Sequence, residues 1–345
     1  MEADSAPYIV VKSACTRGRD ISLFSVLYRV ECATCTLLYI PIPQAAALMN
    51  RFSIRDLENL TGIKAHTIRI WEQRYDILQP KRTPTNIRYY DADDLKLALR
   101  VALLNQYGYK ISRIHKMKSE EMANLIETIS DRTFRLEADA IRMLDATLTM
   151  DTAAVERVLT AHIDEHGIEA AIENLVFQFL EKIGLMWLTD RISAAQEHLA
   201  THVIQRKIAV AIDGLLMPEP DAPSVLLFLP EGEVHDIGIF YAHYLLRRAG
   251  LNAIHLGANT PLRDAQQVYN LRKPAYVFVH LTATTGAFDA ALYLQRLCEV
   301  FSESIILASG ALMKHINVPR HANLRCLYSL EQARDAFAGI AEVVH

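Results

Sequence analysis

At 345 residues and 51% hydrophobic content, the chain is long enough for several packed domains and too rich in core-forming residues to be disordered. Its net charge of −4 hides an asymmetry: residues 49–118 carry fourteen Lys and Arg against seven Asp and Glu, so that segment is about +7 and the remainder about −11, as expected when one module meets a polyanion and the others do not. Five cysteines, three of them in the first 35 residues, exclude a disulfide framework and fit a reducing, cytoplasmic setting, while the apolar run at residues 21–40 is broken by Arg29 and Glu31 and reads as neither membrane span nor signal.

Residues 1–48 have mixed polarity and no sustained helical period, so a poorly structured N-terminal extension is expected there. Cys32 and Cys35 within it read as incidental cysteines, and Met49 reads as an alternative start directly before the first well-patterned helix.

From Ser53 the pattern is clear. Ser53 can cap a helix with Ile54, Leu57 and Leu60 along one face, and Thr61-Gly62 makes a tight break before a second helix, about Ala65 to Tyr75. That second helix buries Ile68 and Trp71 and turns Lys64, His66, Thr67, Arg69 and Arg74 outward, so it can enter a major groove of double-stranded DNA. Breakers and β-formers from Pro80 to Tyr90 predict a small hairpin, a wing rich in cations and hydroxyls; Trp71 and Tyr90 read as core. Asp91 then caps a helix with Leu95, Leu97, Leu99, Val101 and Leu103, and a short helix follows near 111–117.

Through Phe52-Ser53-Ile54-Arg55, Thr67-Ile68-Arg69-Ile70-Trp71-Glu72 and Arg88-Tyr89-Tyr90, residues 49–120 resemble the winged helix-turn-helix of the MerR superfamily. By residue type, Arg69, Arg82 and Arg88 are expected at phosphates, and Lys64, His66 and Thr67 near base edges. A single module of this size reads a half-site, which predicts a homo-oligomer, a dimer or tetramer, on the operator. The long dimerisation helix of the metal-sensing relatives is missing, so the effector is expected on a separate domain.

Residues 131–217 predict a four-helix bundle, with helices near 131–149, 152–165, 168–189 and 192–217 and an apolar stripe of Leu175, Phe179, Ile183 and Met186. Trp187 and the Glu197-His198 pair stand at the end of one helix and on the next. His162 and His166 find no partner in the pattern. Residues 223–345 alternate strand and helix, with apolar runs at Val225–Leu229, Ala253–Leu256, Tyr276–Leu281, Ile305–Ala308 and Arg325–Tyr328. This predicts a flavodoxin-like, Rossmann-like α/β domain with a five-stranded parallel sheet in the order 2-1-3-4-5, and a ligand beyond the carboxyl ends of the first, third and fourth strands. His243, His255 and His280 lie inside these elements and read as structural.

The loop Glu233-Val234-His235-Asp236-Ile237-Gly238 resembles the Asp-x-His-x-x-Gly signature of base-off, His-on cobalamin domains, with Glu in the Asp position. Together with Trp187 and Glu197-His198, it makes residues 50–345 resemble the light-sensing, adenosylcobalamin-dependent repressors of the MerR superfamily that control carotenoid genes. The resemblance implies that His235 ligates cobalt from below, Glu233 holds its other ring nitrogen, and Gly238 leaves room for the nucleotide tail. It also implies that Trp187, Glu197 and His198 lie over the adenosyl group. Thr282, where the family commonly has Ser, and Ser309-Gly310, where it commonly has Gly-Gly, would line the same site, with Ser309 adding bulk beside the tail. The implied function is a non-enzymatic, light-responsive repressor. Two other readings stay open at this stage: a sensor of cobalamin abundance without a light response, and a cobalamin-free regulator acting through protein contacts, to which Glu233 and Ser309 lend weight. A corrinoid methyl carrier is disfavoured by the DNA-binding module.

Overall fold

The computed structural model describes residues 51–83, 85–282 and 288–342. The expected extension, residues 1–48, with Cys32, Cys35 and Met49, lies outside the described residues. Among the described residues no helix is long and apolar enough to cross a membrane.

Ser53 starts helix α1 (Ile54–Thr61) through a reciprocal capping box with Asp56, and Gly62, at φ 73°, ends it. The turn leads into α2 (Ala65–Tyr75), with Ile68 and Trp71 buried as the spacing predicts. A helix-turn-helix-like region results. Strands β1 (Lys81–Arg82) and β2 (Arg88–Tyr89) pair antiparallel, and Phe52 joins them by two backbone bonds of 2.8 Å with Tyr90. Tyr90 is fully buried and its hydroxyl donates to Glu72 on α2, so the hairpin is fastened to the helix that precedes it. Asp91 caps α3 (Ala92–Gln106). The short helix expected near 111–117 shrinks to one turn, α4 (Ile111–Ile114), and α5 (Ser119–Thr128) follows.

The next helices are α6 (Arg132–Leu148), α7 (Thr152–Ala170), α8 (Phe177–Leu188) and α9 (Ala194–Asp213). Two expected boundaries differ. The break between 165 and 168 is a kink at Gly167 (φ 83°, ψ 164°), after which the chain continues through a π-helical turn, Ala171–Val176, into α8. The last helix stops at Asp213 rather than 217, where Gly214 ends it and Pro218 follows.

Strands β3 (Ser224–Pro230), β4 (Asn252–Thr260), β5 (Tyr276–His280), β6 (Ile305–Ser309) and β7 (Leu324–Leu327) form one parallel sheet in the order β4-β3-β5-β6-β7, the expected 2-1-3-4-5. Helices α10 (Ile237–Arg248), α11 (Leu262–Arg272), α12 (Ala290–Val300) and α13 (Leu330–Glu342) connect and cover it. Alternation along β3 divides the burial: Val225, Leu227 and Leu229 belong to a core shared with α10, α13 and the helices before the sheet, whereas Leu226 and Phe228 pack toward α11 and α12. Polar ties also join the helices to the sheet domain. Arg334 on α13 reaches Glu169 at 2.9 Å and also pairs with Glu173, which accepts from Tyr241; Tyr244 donates to Glu169 at 3.1 Å. Glu173 lies in the π-helical turn, so this irregular stretch carries an anchor.

Candidate functional site

The N-terminal candidates lie on or before α2 and on the β1–β2 hairpin. Lys64, His66 and Arg69 on or before α2, and Arg82 and Arg88 on the hairpin, are exposed; Thr67 is partly so. Several are held rather than free. Lys64 bonds Glu58 at 3.0 Å across the turn, Arg82 reaches the Asn86 side chain at 2.8 Å across the hairpin tip, and Arg88 lies 4.0 Å from Glu72. Arg51 stacks over the Tyr89 ring at 4.7 Å, a further cation beside the hairpin that helical spacing gave no reason to select. Cations with ordered side chains beside an exposed helix can meet phosphates with little further ordering cost.

The second group gathers at the carboxyl ends of the strands. The loop after β3 turns on Gly232 (φ 86°), whose N–H donates to the Asn259 side chain at 2.9 Å, while Asn259 N–H donates to Glu233 O at 3.0 Å. This brace uses the end of β4, which runs four residues beyond the expected Leu256. Glu233 is buried. One of its oxygens accepts from His235 Nδ1 at 2.6 Å and His235 N at 3.0 Å; the other accepts from Thr282 N, beyond β5, at 3.0 Å. The hydrogen bond that His235 donates to Glu233 is the main cause that raises the His235 pKa, against the opposing effect of burial. With Nδ1 engaged, Nε2 is the ring nitrogen left to bind, and the His235 side chain is 47% exposed.

On the helical side, Glu197 near the start of α9 is partly buried and its pKa is raised by burial; α9 meets the β3 loop where Gln205 bonds Asp236. His198 is exposed, 3.5 Å from Glu197. One helical turn further on, His202 bonds Gln205 at 2.9 Å, and Gln205 reaches Asp236 beside His235. Trp187, at the end of α8, is half exposed. Between Trp187 and Glu197, Arg191 donates to the buried Asp56 at 2.8 Å, the same carboxylate that completes the cap of α1. Sequence reasoning missed this pair, because 135 residues separate its members.

Below the loop the site is closed. Gly238 lies in the first turn of α10, and a Cβ there would come within 2.5 Å of His280 Nε2, so the space expected for a nucleotide tail holds an imidazole. His280 bonds the buried Ser309 at 2.8 Å. Gly310 (φ 109°) sits directly on the Leu281 backbone, where a Cβ would be 2.2 Å from the Leu281 carbonyl. His280, read from the sequence as structural, thus packs against Gly238 while bonded to Ser309. His243 and His255 do behave structurally, 3.2 Å apart with pKa values lowered to about 4 by burial. His162 and His166 pack edge to face, with His162 3.8 Å from Asp139.

The donor set fits a cobalt ion that accepts an imidazole held by a carboxylate. The His280 ring, packed against Gly238 and bonded to Ser309, does not fit a nucleotide tail lying along Gly238.

Residues 52–121 match the MerR HTH family of regulatory proteins, and residues 141–212 match the B12 binding domain family. The HTH-type transcriptional repressor CarA of Myxococcus xanthus is 31% identical over 262 residues, 72% of this chain and 83% of its own length. The HTH-type transcriptional repressor CarH of the same organism is 27% identical over 252 residues, 71% of this chain and 84% of its own. Among solved structures, the monomethylamine corrinoid protein of Methanosarcina barkeri superposes with a TM-score of 0.43 at 14% identity, covering 57% of this chain and 96% of that one, a likeness too distant to bear on function. With a MerR-type segment followed by a B12-binding one, and that extent of identity, the chain belongs to the family of HTH-type transcriptional regulators with a B12-binding domain that includes CarA and CarH.

Proposed function

We propose that this protein is a cytoplasmic, non-enzymatic repressor in which residues 49–120 form a winged helix-turn-helix, 131–217 a four-helix bundle and 223–345 the corrinoid-binding α/β domain. The observation that carries this reading is the Glu233-His235-Thr282 arrangement, with Gln205 on α9 bonded to Asp236 of the same loop. His235 would hold cobalt through Nε2, with Glu233 fixing the ring, and Trp187, Glu197 and His198 would contact the adenosyl group. When bound, adenosylcobalamin supplies a cobalt–carbon bond that light cleaves. Thr282, Ser309 and Gly310 shape the lower side of the site. The DNA-binding face is Lys64, His66 and Thr67 at base edges, with Arg69, Arg82 and Arg88 at phosphates, and β1–β2 is the wing. The Arg191–Asp56 pair gives the loop between Trp187 and Glu197 a direct hold on the first DNA-binding helix, so a shift of that loop reaches the operator face through one ion pair. Two modules of a dimer or tetramer engage two half-sites, which makes DNA avidity sensitive to assembly.

The test is equilibrium titration of the full chain with adenosylcobalamin in darkness, following absorbance, molecular mass by light scattering and operator binding, before and after green light. The proposal expects a corrinoid spectrum that depends on His235, and a mass and DNA affinity that fall on illumination. Binding with unchanged mass and affinity after light rejects the light response and leaves an abundance sensor. Absence of corrinoid binding in any form rejects the effector assignment.

A further inference from the structure

A cobalt bound by a protein histidine gives up its own lower nucleotide, and that nucleotide then needs a place. The place implied for it here, between the start of α10 and the ends of β5 and β6, is filled. The His280 imidazole packs directly against Gly238, so that a Cβ added there would be 2.5 Å from Nε2 and 2.6 Å from Cδ2. Its other edge is pinned at 2.8 Å to Ser309, its register partner on β6. Ser309 is buried, and the loops on either side are tied by Leu281 N to Ser309 O at 2.8 Å and Leu312 N to Leu281 O at 3.2 Å. A planar base and an imidazole cannot share one volume in a close-packed interior. Moving the imidazole away would leave the buried Ser309 hydroxyl without its partner. His235 itself carries no such block, its side chain being 47% exposed.

We infer that His280, locked by Ser309, is a specificity-determining residue that excludes the nucleotide tail, so that the site holds a corrinoid through its cobalt and ring with no tail inserted in the sheet. The favoured ligand class is therefore a tail-free corrinoid of the cobinamide type; cobalamin binds more weakly, with its tail left in solvent. This rests on the reading that His235 binds cobalt.

The test uses the full chain with aquocobinamide and aquocobalamin, titrated in darkness. Cobinamide releases its lower ligand more readily in any site, so the informative quantity is the change in the cobalamin-to-cobinamide ratio on His280→Ser. The inference expects that variant to tighten cobalamin binding about ten-fold and leave cobinamide within about two-fold, since only the tail gains room. A ratio that does not change overturns it. In the unaltered chain, phosphorus NMR of bound cobalamin reads the tail directly and needs no variant. A narrow phosphodiester resonance, or cobinamide binding where cobalamin does not bind, supports exclusion; a resonance broadened to the tumbling of the protein means an inserted tail and overturns it. Failure of both corrinoids to bind either chain overturns the His235 reading itself, and the inference with it.

Discussion

Two departures from the cobalamin-domain signature sit within one site and behave differently. Glu233 replaces a shorter acid, yet it reaches His235 Nδ1, His235 N and Thr282 N with its two oxygens. Ser309 replaces a smaller residue and, by bonding His280, helps fill the space next to Gly238. A hydrogen-bonding role can be met by any side chain that delivers the acceptor to the right point, and an extra methylene can be folded away. A volume that a ligand must enter tolerates no such exchange. Substitutions at a first-contact acid are thus weaker evidence against a ligand than substitutions that occupy space.

The largest expected effect that sharpens this contrast is His235→Ala. Removing the imidazole should lower corrinoid affinity about 100-fold or more, in view of the ten- to hundred-fold typical of mere outer partners, and abolish the spectrum of histidine-ligated cobalt; absorbance titration measures both. Next is Glu233→Gln, which keeps shape but turns an amide donor toward either His235 Nδ1 or Thr282 N. A fall of about ten-fold in corrinoid affinity is expected, with folding retained on circular dichroism. Gly238→Ala probes the filled volume: it should destabilise the α/β domain by about 1–3 kcal/mol, and His280→Ala in the same chain should recover most of that loss in thermal melts. Independent, additive costs would break the account of the plug. The smallest effect on corrinoid binding is expected from Arg191→Ala, which should cost about 1–3 kcal/mol of stability, because it removes the cation from the buried Asp56 carboxylate while Asp56 keeps its bond to Ser53 N. Its consequence should instead show in operator binding, whose dependence on corrinoid weakens while corrinoid affinity itself stays put.

Legibility followed the range of the interactions. The cap at Ser53, the turn at Gly62, the buried Ile68 and Trp71, and the strand order all follow from local period and turn chemistry, and the structure has them where the residues place them. Helix ends were less legible: Gly167 reads as a breaker, but packing on both sides carries the chain through it as a kink and a π-helical turn. In the site, His235 and Glu233 were legible because they are two residues apart. His280 was read as structural, since nothing near it in sequence connects it to Gly238, 42 positions earlier.

The sequence by itself determined which segments become helices and strands, which faces are buried, where the cations around α2 and the hairpin lie, and that an imidazole and a carboxylate meet after β3. These depend on periodicity and on contacts within one turn of chain. Only the tertiary structure decided that α9 faces that loop, that Arg191 grips Asp56, and that His280 occupies the room beside Gly238. Each of those brings together groups from different elements, and whether two such groups share or contest a volume is set by how the elements pack.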